Sequence, residues 1–218
     1  MNDLARTARL TLVLGDRNFS SWSLRPWLAA RQAGLAFAEV GVRLDDAGTR
    51  DEIRKYSPSG KVPCLIAGEG AERLLIWESL AICEYLAELA PSLWPADPAL
   101  RAEARSVSAE MHAGFAALRQ NMAMDIRAIK PGQARSAEVG ADIARIVSIL
   151  QCCRKRCAAR GPFLFGAFSI ADAMYAPVVW RFVTYGVGLP PAAQAWVETM
   201  LALPAMREWR AAALAEPV

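Results

Sequence analysis

The chain has 218 residues, 54% hydrophobic and 22% charged, which is the balance of a globular protein with a real core and excludes a disordered one. Its formal charge of +3, from 25 basic and 22 acidic residues, is too small to point to nucleic acid. The first apolar run, 10–14, is shorter than the core of a secretory signal. No apolar stretch approaches the ~18 residues of a membrane span, so the expectation is a soluble, cytoplasmic protein with no membrane partner.

Residues 10–14 (LTLVL) read as a buried strand, and 24–33 as a helix with Leu24, Trp27 and Leu28 on one face and Gly34 as its stop. A second strand is expected over 37–44. Thr49 and Glu52 have capping-box spacing, so a short helix should open there and stop before Pro58. Strands follow over 62–66 and 74–77, joined by a turn at 68–73, and then a helix over 79–89. The order β-α-β-α-β-β-α implies a small mixed four-stranded sheet, with a parallel pair, a closing antiparallel hairpin, and helices on both faces.

Residues 91–98 hold three prolines and read as a stiff linker at a domain boundary. Beyond it the strand signals stop. Helices are expected over 99–127, 137–159 and 170–185, then two shorter ones split before Pro204. Breaks fall at 130–136, 161–168 and 186–191. The domain reading is 1–90, a linker 91–98, and an all-helical unit 99–218. The basic cluster Arg154-Lys155-Arg156 reads as a solvated helix face.

The five cysteines are Cys64, Cys83, Cys152, Cys153 and Cys157. An odd count without a secretory signal argues against a disulfide framework. With one histidine, His112, and no CxxC pair, the cysteines read as packed thiols and no metal is expected.

Three stretches sit where strands give way to helices. In the first, 16–27 (DRNFSSWSLRPW), three serines surround Trp22. Ser23 reads as the helix cap; one cap leaves Ser20 and Ser21 unexplained. In the second, Lys61-Val62-Pro63, proline opens a strand and cannot donate to its ladder. From spacing alone a trans bond at an edge is expected there; a cis bond would leave the Val62 main chain free to pair with an extended peptide. In the third, Trp77-Glu78-Ser79, Ser79 is either a cap alone or, with the helix N-terminus, a carboxylate site beside an ammonium held by Glu78.

A strand, S-S-x-S-x-R, a helix, V-P near a strand start and E-S at a helix start together resemble the thioredoxin-like domain of cytosolic glutathione S-transferases. Ser169-Ile170-Ala171-Asp172, within GPFLFGAFSIADA, resembles the capping box that opens the core helix of that family's helical domain. The resemblance spans essentially the whole chain and is nearest to serine-type classes such as zeta and tau.

It implies a glutathione transferase with glutathione as co-substrate, an electrophilic small molecule as acceptor, a detoxifying role and a homodimeric state. The catalytic serine, five residues before the helix arginine, would be Ser20, with Ser21 next. Val62 beside a cis Pro63 would pair with the cysteinyl main chain, Glu78 and Ser79 would hold the γ-glutamyl end, and Lys61 or Arg50 would reach the glycine carboxylate. Met111, His112 and Phe115 are candidates for the acceptor pocket wall, or simply core or dimer contacts. A serine hydroxyl and a helix N-terminus would favour the thiolate, the nucleophilic form. Zeta isomerases of maleylacetoacetate resemble S-S-C-S here, whereas this chain has Trp22 at the third position, which favours a transferase over a maleylacetoacetate-type isomerase. Other expectations are a non-catalytic module like the stringent-starvation regulators, or a protein that binds glutathione and sequesters apolar ligands without turnover.

Overall fold

The structure is a computed structural model and describes residues 9–44, 47–134 and 136–217. Its first half runs β1 (Leu10–Gly15), α1 (Ser21–Gln32), β2 (Ala38–Val42), α2 (Thr49–Arg54), β3 (Cys64–Ala67), β4 (Leu74–Trp77) and α3 (Ser79–Leu89). The strands form one sheet in the order β2-β1-β3-β4. β1 and β2 are parallel; β1–β3 and β3–β4 are antiparallel. The expected mixed sheet is therefore present.

Strand alternation sends side chains to opposite faces of the sheet. Leu10, Leu12 and Leu14 join Leu24, Trp27 and Leu28 of α1 and Ile82 and Leu86 of α3 in the main core. Val13 points the other way, into a smaller cluster with Val42, Cys64 and Ile53 of α2. Helices thus cover both faces.

The second half is helical: α4 (Pro98–Ala113), α5 (Ala116–Asn121), α6 (Ala137–Cys157), α7 (Ile170–Tyr185), α8 (Pro191–Ala202) and α9 (Pro204–Ala215). In α7 every residue but Val183 is buried, as expected of a helix surrounded by others. It packs against α1 and α4, so the helix that follows the serines leans directly on the core of the helical half. At the head of α7 the capping box is formed. The Asp172 carboxylate accepts from the Ser169 N–H (3.0 Å) and Oγ (3.1 Å), the Leu164 N–H (2.9 Å) and the Trp196 Nε1 (2.9 Å).

Several boundaries depart from the sequence reading. α1 begins at Ser21, not residue 24, because the Ser20 and Phe19 N–H groups fold back onto the Asp16 carbonyl (2.7 and 3.2 Å) and start the turn early. Ser23 is therefore inside the first turn and does not cap it. Pro26 lies in the second turn. β3 starts at Cys64, after the proline that cannot donate. α2 opens at Thr49 itself, whose hydroxyl donates to the Arg43 carbonyl (2.7 Å), so the Thr49-to-Glu52 capping box is not what starts it.

The helix expected over 99–127 stops at Ala113. A Cβ on Gly114 would lie 2.9 Å from the Glu110 carbonyl oxygen, and Phe115 adopts left-handed φ/ψ of 61° and 44°. The chain restarts as α5 and leaves the helix again at Met122. The proline-rich 91–98 is no free spacer: Pro91–Leu93 is a 3-10 turn, Trp94 is buried with its Nε1 on Glu84 (3.0 Å), and Asp97 caps α4. In the break 130–136, residue 135 lies outside the described residues. Arg154 donates to the Gly161 carbonyl (2.7 Å) and Arg156 pairs with Glu103, so the basic cluster is only partly a solvated face.

Candidate functional site

The loop 16–20 joins β1 to α1 and carries the serines. The Ser23 Oγ accepts the Gly15 N–H (3.0 Å) and lies 2.7 Å from the Ser20 Oγ. The hydroxyl expected to cap the helix instead ties the end of β1 to its first turn and supports Ser20. The Ser21 Oγ accepts from Arg181 Nη2 on α7 (3.3 Å). Both candidate serines are buried.

The loop is held from far along the chain. Glu216 accepts the backbone N–H of Arg17 (2.6 Å) and of Asn18 (3.1 Å) through its two carboxylate oxygens. Trp209 Nε1 donates to the Arg17 carbonyl (2.9 Å). The Asn18 side chain donates to Asp125 (3.0 Å) and accepts the Arg127 N–H (3.0 Å).

The Val62–Pro63 peptide bond is cis. Spacing alone favours trans; the family resemblance implied cis. Both residues precede β3 and lie outside its ladder. Glu78 has φ 71° and ψ 124° at the N-cap position of α3, a conformation costing a non-glycine residue on the order of 1–3 kcal/mol and concentrated at functional sites. Ser79 is the first helical residue, not the cap. Its Oγ is buried with no hydrogen-bond partner.

Val62, Pro63, Glu78 and Ser79 share one cavity, and Ser20 and Ser21 are not among the residues that line it. Trp22, Ser59, Lys61, Val62, Pro63, Glu78 and Ser79 line a space of about 230 Å³. Arg50 is not among them. It lines a separate open hollow with Thr49, Arg54 and Gly60, which meets the first only through Ser59 and Lys61. Of the acceptor-wall candidates, Met111 and Phe115 are buried core residues. His112 is half-buried, with its ring edge-on to Trp22 (5.4 Å between centroids) and Nε2 3.7 Å from Glu78.

Burial lowers the His112 pKa, reinforced by Arg25 and opposed by Glu78. Burial pushes the Cys83 thiol up to about 12, with Arg25 opposing. It pushes Cys153 to about 12 and raises Cys64 as well. These thiols are not poised to ionise. Cys152 alone of the five is exposed. Among the described residues no group of three His, Cys, Asp or Glu side chains is arranged to hold a metal ion. No described helix is long and apolar enough to cross a membrane.

Residues 19–89 match the family model of the glutathione S-transferase N-terminal domain, and residues 99–212 that of the C-terminal domain. The chain belongs to the glutathione S-transferase family. No curated protein gives a match. Among solved structures, the chain is similar to a glutathione transferase homolog from Burkholderia GL BGR1 with bound glutathione, at 23% identity over 95% of this chain and 100% of that one, TM-score 0.69. It is also similar to a theta class glutathione S-transferase from Xanthomonas axonopodis pv. citri with glutathione bound, at 26% identity over 93% and 97%, TM-score 0.63. A third is a maleylacetoacetate isomerase from Anaeromyxobacter dehalogenans 2CP-1, with dicarboxyethyl glutathione and citrate in its active site, at 25% identity over 94% and 91%, TM-score 0.67.

Within this transferase, sequence reasoning passed over Arg119, Arg181 and Glu216. Arg181 had a signal: it is the one charged side chain in the run MYAPVVWRFV of α7, and a lone charge in an apolar helix needs a partner. Arg119 lies in the polar run Arg119-Gln120-Asn121 and Glu216 in the alanine-rich end AAALAEPV, and only the tertiary fold brings Arg119 to Trp22 and Glu216 to the serine loop.

Proposed function

We propose that the chain is a serine-type glutathione transferase that ionises the glutathione thiol and adds it to an electrophilic small molecule. The observation that carries this reading is the single cavity lined by Lys61, Val62, cis Pro63, Glu78 and Ser79, with the buried, unpartnered Ser79 Oγ at the head of α3. A carboxylate at that helix N-terminus would take the Ser79 hydroxyl and the free N–H groups. Glu78 would hold the neighbouring ammonium, Val62 the peptide main chain and Lys61 the glycine carboxylate. Arg50, in the adjoining hollow, is the weaker candidate for that carboxylate. On this reading residues 1–90 are the glutathione-binding unit, 91–98 the connection and 99–218 the acceptor side, with residues 1–8, 45–46, 135 and 218 outside the described set.

The Ser20 Oγ donates to the Ser23 Oγ, which also accepts the Gly15 N–H. Turned about its Cβ–Oγ bond, the Ser20 hydroxyl would give its proton to the sulfur instead, while Ser23 keeps the Gly15 N–H. Lowering a thiol from about 8.5 by about two units amounts to roughly 2.7 kcal/mol of thiolate stabilisation. Ser21, backed by Arg181, is the second candidate for that donor.

Glutathione titrated into wild type and Ser20→Ala, followed by calorimetry and by thiolate ultraviolet absorbance across pH, tests this. The expected result is binding by both and a lowered thiol pKa in wild type alone, with turnover falling about a hundredfold in the variant. An unchanged thiol pKa in Ser20→Ala would remove Ser20 from the mechanism. Absence of binding in both would leave the fold as an interaction module and turn attention to protein partners.

The similarity to the Anaeromyxobacter maleylacetoacetate isomerase favours glutathione-dependent isomerisation as the second reading, against which stands Trp22 in place of the cysteine. A cytoplasmic, detoxifying homodimer is the family setting we propose for either activity; light scattering that shows a monomer at micromolar concentration would remove the dimer.

A further inference from the structure

Two arginines lie over Trp22 with a third, Arg181, close to them, and none of the three is ion-paired among the described residues. The Arg25 guanidinium carbon is 4.2 Å from the Trp22 ring centroid and that of Arg119 is 4.6 Å. Arg181 of α7 donates to the Met122 carbonyl (2.8 Å) and to Ser21 (3.3 Å). Arg25 is fully buried, and its Nε, Nη1 and Nη2 have no hydrogen-bond partner. Arg119 gives Nε to the Gly114 carbonyl (2.9 Å) and Nη2 to the Met111 carbonyl. Its Nη1 meets no acceptor among the described residues. His112 closes the ring of groups, and its Nδ1 is also buried and unpartnered.

Of the nearby carboxylates, Asp142 accepts the Leu118 N–H (2.9 Å) and Glu110 pairs with Arg145 (2.7 Å). Glu78 faces His112 Nε2 at 3.7 Å and pairs with none of the three arginines among the described residues. A cation withdrawn from water is stable when paired, and like charges beside it add to the cost. Burial lowers the Arg25 pKa well below the usual arginine value, with Arg119 and then Arg181 adding to the effect. Trp22 is also a wall of the 230 Å³ space lined by Lys61, Val62 and Ser79, so the Arg25 and Arg119 guanidinium groups lie against a residue of the cavity wall.

Glutathione on the proposed reading uses Ser79 and Lys61 for its two carboxylates. The arginine cluster is left over. We propose that it is an anion subsite for the acceptor: Arg119 and His112, with Arg25 and Arg181 behind them, receive a carboxylate carried by the electrophile. The preferred acceptors are then acidic electrophiles, such as α,β-unsaturated acids. In that addition the sulfur forms a bond to the alkene carbon, the π pair moves to the neighbouring carbon, and a proton from water completes the adduct.

The inference rests on the glutathione reading, and two near-isosteric adducts separate the two. S-carboxymethylglutathione and S-carbamoylmethylglutathione differ by one charge, contain no thiol and need no turnover. Calorimetry on the wild-type protein is expected to give the carboxymethyl adduct an affinity about tenfold higher. Arg119→Met should bring the two within about twofold, and Arg119→Lys, which keeps the charge, should preserve a measurable preference. Equal wild-type affinities for the two adducts overturn the anion subsite and leave glutathione binding standing. Failure of both adducts and of glutathione itself to bind overturns both readings.

Discussion

Three helix heads in this protein bury polar groups in two opposite ways. At the head of α7, Asp172 is fully buried and four donors meet its two oxygens. At the heads of α1 and α3, the Ser79 Oγ and all three Arg25 nitrogens are buried with nothing to bond. A satisfied buried group holds a loop in place, whereas an unsatisfied one lowers stability until something binds. The α7 head belongs to the fold, and the other two belong to the site.

The largest test of that contrast is Asp172→Ala. It strands the Leu164 and Ser169 N–H groups and the Trp196 indole, and is expected to cost about 2–4 kcal/mol, a fall in melting temperature of roughly 5–15 °C. Glutathione affinity in the surviving folded protein should stay within about twofold of wild type. A thermal scan with a parallel titration reads both, and a small shift in melting temperature would break the comparison. Ser79→Ala should do the reverse. Removing a hydroxyl that bonds nothing leaves the melting temperature unchanged or raised, while glutathione affinity falls about tenfold. A clear loss of stability in this variant would place Ser79 with Asp172 and not opposite it.

The smallest effect is acid sensitivity. The His112 pKa is lowered by burial first and then by Arg25, with Arg119 adding and Glu78 opposing. A histidine depressed in the folded state contributes stability that is complete above its unfolded value of about 6.5 and is lost as pH falls through the folded one. Melting temperatures followed from about pH 7.5 to about pH 5.5 should decline less steeply in His112→Gln than in wild type. Parallel curves would mean that His112 is protonated as easily folded as unfolded.

Much of the fold was legible because local rules agreed with the tertiary outcome. The apolar run 10–14, the hairpin and the run 170–185 each had one consistent pattern. The long helix expected from 99 failed at Gly114, where the alanine-rich composition gave no sign of how closely the Glu110 carbonyl approaches. In the site, Val62, Pro63, Glu78 and Ser79 were visible as motifs at element boundaries. The environment of Trp22 was not, since Arg25, Arg119, Arg181 and His112 come from four separate elements or their connections and meet only through packing. Ser23 shows the limit of capping logic: a serine near a helix start can serve the preceding strand instead.

Glu216 gives the two halves a relation that their separate family models do not suggest. Its carboxylate grips the backbone of Arg17 and Asn18 across 199 and 198 positions of sequence, and Trp209 adds a third hold on the same loop. A recombinant that joined this sheet domain to helices without Glu216 and Trp209 would inherit every serine and lose the grip that sets their loop. Because the grip falls on backbone groups, the side chains at 17 and 18 are free of it, and the constraint on exchanging halves sits at 209 and 216, far from where the two domains meet in sequence.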